Sequence, residues 1–192
     1  MLFRSRAKIT LERIIRDANS ASDVVSRIRA LFNQLGKTKV PADVTRVIVG
    51  VRHLMANELA TNNILVETEL GSNLPLALID PVQMEQVLVN LIRNAIDALE
   101  TVVDGARVIR LRAVLDSENA IRVEVQDFGP GIKEPELAFE PFFTTKQDGM
   151  GMGLAICRSI IESHNGRLWA TSNQPSGTTL AFTLPIQARD AA

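Results

Sequence analysis

The chain has 192 residues, 46% of them hydrophobic, and a formal net charge of -1. That is enough apolar material for the core of one ordinary domain plus an extension, and the interspersed charges argue against a nucleic-acid protein with a basic face. A lone Cys157 and only two histidines argue against disulfides and structural zinc, and no apolar stretch is long enough for a membrane span or signal peptide, so the composition reads as a cytoplasmic protein.

Arg4, Arg6 and Lys8 read as a solvated helix end or leader. From Leu11 to Leu35 the apolar residues Leu11, Ile14, Ala18, Ala21, Val25, Ile28, Phe32 and Leu35 alternate in steps of three and four. This strict a/d seam predicts a helix that pairs with another helix rather than with a broad globular core. Gly36 ends it, and residues 37–43 read as a linker. Asp43 opens a second helix reaching about Thr61, and strands follow at Ile64 to Leu70 and Leu76 to Ile79. Asp80-Pro81 opens a third helix running to about Leu99, with aspartate as N-cap and proline in the first turn. Strands at Val108 to Leu115 and Ala120 to Gln126, a helix from Met152 to His164, and strands at Arg167 to Thr171 and Thr178 to Leu184 complete the order. Together they predict an α+β two-layer sandwich: a mixed, mainly antiparallel sheet with helices on one face. Phe128 to Asp148 is a long Gly- and Pro-containing irregular segment, a length that points to function.

Four segments carry chemistry. Asn90, Asn94 and Asp97 fall on one face of an otherwise apolar helix, where amides and a carboxylate suit polar ligands and carboxamide oxygens suit Mg²⁺ bridging phosphates. Asp127-Phe128-Gly129-Pro130-Gly131-Ile132 follows a strand; its carboxylate can accept from an exocyclic amine, and its glycines let backbone approach a flat ring. Gly149-Met150-Gly151-Met152-Gly153-Leu154 runs into a helix, where free amides and the positive dipole end suit phosphate. It is neither a Walker A loop nor a dinucleotide fingerprint. Gly177-Thr178-Thr179 opens the last strand with hydroxyls that could support a base.

In this order the segments resemble the GHKL superfamily and, within it, the catalytic domain of sensor histidine kinases. The N-box is Asn90 to Ala98 and the glycine boxes are Asp127 to Ile132, Gly149 to Leu154, and Gly177-Thr178. Phe139 to Lys146 resembles the phenylalanine box of the kinases. Asn94-Ala95-Ile96-Asp97-Ala98 and Gly166-Arg167-Leu168-Trp169 are similar to the nitrogen-regulatory and oxygen-sensing branch. The resemblance covers about Val44 to Pro185 and implies a Bergerat-type fold that binds ATP with Mg²⁺ and transfers the γ-phosphoryl group to a histidine. It implies that Asp127 binds the adenine amine with Thr178 in support, and that Gly129, Gly131 and Ile132 line the base. Asn94 would hold Mg²⁺ and Asn90 would lie beside the phosphates, with Asp97 also in the nucleotide site. Lys146 would reach the terminal phosphate, and Gly149, Gly151, Met152, Gly153 and Leu154 would wrap the phosphates. Where the hydrolysing relatives carry a glutamate base this chain has Asn90, which cannot take a proton from water, so kinase is preferred over ATPase.

The family's phosphoacceptor histidine has an acidic neighbour, whereas His53 is followed by Leu54 and His164 by Asn165. Both read as packing or capping residues. Thr10 to Leu35 resembles the second helix of the dimerisation hairpin, and Met1 to Ile9 is too short for the first. The expected layout is a partial stalk helix over 1–36, a catalytic domain over 44–186 and a tail over 187–192, in a fragment of a longer kinase or an unusual stand-alone protein. Expected partners are a response-regulator receiver domain and a second copy through Leu11–Leu35. The alternatives are a docking module unable to bind nucleotide, disfavoured by the intact Asp127 and glycine runs, and an anti-sigma-type serine kinase, disfavoured by the phenylalanine box and stalk helix.

Overall fold

The computed structural model describes residues 39–102, 107–117, 119–144 and 150–186. All belong to the second of the chain's two units, which begins at Lys39. In chain order they form β1 (Val40–Ala42), α1 (Val44–Leu54), α2 (Ala56–Thr61), β2 (Leu65–Leu70), β3 (Ala77–Ile79), α3 (Pro81–Glu100), β4 (Val108–Ser117), β5 (Ala120–Asp127), a 3-10 turn (Leu137–Phe139), α4 (Gly153–Ser163), β6 (Leu168–Ser172) and β7 (Thr178–Pro185). The heptad helix and the tail over 187–192 lie outside the described residues.

Five strands form one sheet in the order β2-β4-β5-β7-β6. β2 runs parallel to β4, and the remaining neighbours are antiparallel. Strict alternation divides its faces. Ile109, Leu111, Ala113, Ile121, Val123, Val125, Leu180, Phe182 and Leu184 are buried beneath the helices. Arg110, Arg112, Arg122 and Glu124 project from the other face, where Arg110 meets Glu67 at 2.8 Å and Arg112 meets Glu124 at 3.4 Å. Such partly exposed ion pairs contribute about 0–1 kcal/mol each, so they cover the sheet rather than hold it together. The expected α+β two-layer architecture is the one observed.

Asp80 makes the start of α3 definite. Its Oδ1 accepts from the amides of Val82 at 3.0 Å and Gln83 at 3.3 Å, and Pro81 fills the first helical position without leaving a donor unmet. Met84, Val87, Leu88, Leu91, Ile92, Ala95, Ile96 and Leu99 then recur at helical spacing and are all buried, which turns the Asn90–Asn94–Asp97 face away from the core. α4 ends at His164, which is 1% exposed. The Nε2 of His164 accepts from the Asp80 amide at 3.0 Å, so the ring proton sits on Nδ1, which donates to the Ile160 carbonyl at 2.8 Å. The end of α4 is thereby tied to the start of α3, in keeping with the capping role read for this histidine. His53 is exposed on α1.

Two local features differ from the sequence reading. Residues 40–42, within the stretch read as linker, form β1, paired antiparallel with β3 so that Pro41 faces Leu78. Three residues show no alternation, and Pro41, lacking an N–H, is tolerated only because the ribbon has two strands and an open edge. The helix read from Asp43 to Thr61 is divided at Met55, which leaves helical geometry at φ -90° and ψ 4° while remaining buried. Leu59 of α2 still reaches the core.

Phe182 is the largest wholly buried side chain, at the centre of β7 between the inward faces of β5 and β6. Phe182→Ala is expected to lower stability by about 3–5 kcal/mol. Urea unfolding followed by circular dichroism measures this, and a loss below about 1 kcal/mol would contradict the core assignment.

Candidate functional site

The motif residues converge at one end of the helix layer. Asp127 closes β5 directly opposite Thr178, the first residue of β7. It is 5% exposed, and its Oδ1 accepts from the Gly129 amide at 2.9 Å and the Thr178 amide at 3.3 Å. Burial pushes its carboxyl above the ordinary aspartate value, and the amides of Gly129 and Thr178 pull the other way. A carboxylate held this way is an oriented, poorly solvated hydrogen-bond acceptor.

The backbone around it is too close for side chains. A Cβ at Gly177, whose φ is +109°, would lie 2.3 Å from the Asp127 carbonyl. A Cβ at Gly129 would meet the Ala98 carbonyl of α3 at 3.0 Å, and one at Gly131 would meet the Gly177 carbonyl at 3.1 Å. Thus the first and third glycine boxes and the end of α3 stack backbone against backbone around Asp127. The carbonyl of Ile132, half-buried, accepts from the Ser172 hydroxyl at 2.6 Å, which joins the loop to β6. Thr179 turns its hydroxyl to Asn173 at 2.9 Å.

Asn90, Asn94 and Asp97 lie half-buried along one side of α3. Asn90 reaches the second glycine box: its Oδ1 is 3.7 Å from where a Gly153 Cβ would stand. Gly153 opens α4, and the side chain of Met152 before it makes no capping bond, so no side chain at the N-cap takes up the first-turn amides. Leu154 is half-buried against the core. Gly151, at φ +64°, crosses the phenylalanine box, where a Cβ would lie 2.5 Å from both the Phe142 carbonyl carbon and the Phe143 oxygen. Its carbonyl accepts from the Phe142 amide at 3.0 Å. Phe139 is buried with Arg158 stacked 4.5 Å from its ring centroid, whereas Phe142 is 72% exposed. Lys146 and Gly149 lie outside the described residues.

A family model described as histidine kinase-, DNA gyrase B-, and HSP90-like ATPase matches residues 79–188, a span that contains all four motifs. The chain belongs to this ATPase family. It is 34% identical over 183 residues to the sensor histidine kinase TmoS of Ectopseudomonas mendocina, covering 94% of this chain and 19% of TmoS. It is 37% identical to the sensor protein FixL of Bradyrhizobium diazoefficiens, covering 94% of this chain and 36% of FixL. The chain therefore spans well under half the length of these relatives. The nucleotide-free catalytic domain of the histidine kinase ThkA aligns with a TM-score of 0.68 at 31% identity, over 78% of this chain and 99% of that one. ThkA in complex with the response regulator TrrA aligns with a TM-score of 0.70 at 27% identity, over 88% of this chain and 49% of that one.

The structure also places beside these motifs residues that sequence reading did not single out. Cys157 lies one turn into α4, fully buried, with its Sγ 4.0 Å from the Val87 carbonyl. Burial pushes its thiol up to about 12, opposed by a hydrogen bond from the Asn90 side chain. Ala98 walls the Asp127 side through its backbone, and Arg158 clamps Phe139. The signal for Cys157 was its spacing of four from Gly153, but only the packing of α3 on α4 gives that spacing a meaning.

Because the folded value for Asp127 lies above the unfolded one, its stability contribution is full at low pH and falls as pH rises through the folded value. At neutral pH the ionised group therefore destabilises the nucleotide-free domain. Asp127→Asn keeps an Oδ1 acceptor for both amides and removes the charge, so the melting temperature of the nucleotide-free protein is expected to rise. A clear fall in calorimetry would contradict this.

Proposed function

We propose that this chain is the Mg²⁺-ATP-binding catalytic domain of a two-component protein-histidine kinase, transferring the γ-phosphoryl group to a histidine on a hairpin supplied by another part of the protein or another chain. The observation that carries the reading is the buried Asp127 carboxylate, oriented by the Gly129 and Thr178 amides at the mouth of glycine-lined backbone. Family membership and the sensor kinases among the relatives support the same reading.

With Oδ1 committed to two amides, Oδ2 of Asp127 is the oxygen that accepts from the adenine amine, and Thr178 stands beside it. Gly129, Gly131 and Ile132 are assigned to the faces of the ring. The uncapped start of α4, with Gly151, Met152, Gly153 and Leu154, offers amides and the positive helix end to the phosphates. Among the described residues no group of three or more His, Cys, Asp or Glu could hold a metal ion. Mg²⁺ held mainly by phosphates and waters needs only one or two protein oxygens, however, and the Asn94 carboxamide fits that role, with Asn90 beside Gly153 and Asp97 on the same face. The ion would neutralise phosphate charge. The protein's own part is positioning and charge compensation, with Lys146 assigned to the terminal phosphate and Asn90 unable to activate water.

A response-regulator receiver domain is the proposed downstream partner, supported by the ThkA–TrrA complex. Dimerisation through Leu11–Leu35 is proposed from the heptad seam. No helix among the described residues is long and apolar enough to cross a membrane, and a cytoplasmic location is proposed from the need for ATP.

Incubated with labelled ATP, the chain is expected not to label itself but to transfer label to an added acceptor hairpin. The transfer in trans should be slow for want of a tether. Asp127→Asn is expected to weaken ATP-analogue binding by about 1.5–3 kcal/mol. Equal affinity of the variant in calorimetry would overturn the assignment of Asp127. Failure to label any hairpin, with binding intact, would overturn the kinase reading.

A further inference from the structure

α3 and α4 meet at two places. At one end Asn90 and Val87 of α3 lie against Gly153 and Cys157 of α4. At the other, the Nε2 of His164 accepts from the Asp80 amide. Asp80 to Asn90 and Gly153 to His164 are helical runs of similar length, so the two contacts lie roughly 15 Å apart. The first half of α3, from Asp80 to Asn90, is thus pinned along the whole length of α4.

We propose that His164 is a positioning residue for the nucleotide site: as a neutral imidazole it latches the start of α3 to the end of α4, and its protonation releases the latch and weakens nucleotide binding. The inference rests on the nucleotide reading given above. Both ring nitrogens are committed, Nε2 as acceptor from Asp80 and Nδ1 as donor to the Ile160 carbonyl, with the Ser163 hydroxyl 3.2 Å from Nδ1. Adding a proton places an Nε2–H donor against the Asp80 N–H donor, so the bond becomes a repulsion.

Charged groups reach the ring from both neighbouring segments. Lys39, at the approach to β1, donates to the Ser163 carbonyl and its charge opposes a second one on His164. Asp80, at the head of α3, favours the charge, but its Oδ1 is occupied by the Val82 and Gln83 amides. Burial is the largest influence and holds the ring neutral below the ordinary histidine range. The latch is therefore full at neutral pH and is lost as pH falls through that depressed value.

The test is calorimetric titration of the whole chain with an unhydrolysable Mg²⁺-ATP analogue between about pH 7.5 and about pH 5, comparing native protein with His164→Gln. Glutamine can still accept from the Asp80 amide but does not titrate. Protonation of the analogue is common to both proteins and cancels in the comparison. The native affinity is expected to fall about fivefold more than that of the variant. In Lys39→Met, which retains His164, the fall is expected to begin at higher pH, and this arm holds the test even where His164→Gln does not fold. Parallel profiles for all three proteins, with binding intact at pH 7.5, would overturn the latch alone. No binding by the native protein at any pH would overturn the nucleotide reading and the latch with it.

Discussion

A buried, ionised carboxylate is the constraint on which the rest of this domain turns. Asp127 sits at the end of β5 with little water around it, and burial of a lone carboxylate costs free energy unless donors approach it. The two amides that do so come from the loop after β5 and from the first residue of β7. For those amides to reach one oxygen, the loops must cross backbone to backbone, which excludes side chains at Gly129 and Gly177. The first and third glycine boxes are thus consequences of holding one acceptor in place.

The same economy shapes α3. One face of the helix is continuous core, from Met84 to Leu99. The other carries the half-buried Asn90, Asn94 and Asp97, with Asn90 hydrogen-bonded to Cys157 of α4. The sheet likewise separates its faces, apolar beneath the helices and laced with Arg–Glu pairs outside. Stability resides in the packed layer, and function resides where polar groups are held at its edge. That edge is under tension, because the charge proposed to recognise an amine at Asp127 also disfavours the empty folded state.

How much of this could be read from the chain depended on distance along it. α3 was legible because its cap, its proline and its periodicity are all local, and the observed Pro81–Glu100 follows them closely. The site was legible as an order of motifs, since Asp127, the glycines and the N-box each carry a recognisable local chemistry. What joined them was not legible: the Asp80–His164 bond spans 84 residues, and neither residue advertises the other. Nor does the lone Cys157 advertise the Asn90 and Val87 that α3 places beside it. β1 escaped notice because three residues with a central proline hold no alternation, and only pairing with β3 makes them a strand.

The most direct measurement of the central claim is competition between ATP and GTP for the chain. A fixed carboxylate oxygen accepts from the amine of adenine but faces a carbonyl oxygen at the same ring position of guanine, leaving two acceptors opposed without water. The account predicts that ATP binds on the order of 100-fold more tightly than GTP, and that Asp127→Asn narrows the gap. Equal affinities in the native protein would contradict the role given to Asp127 and the architecture argued around it.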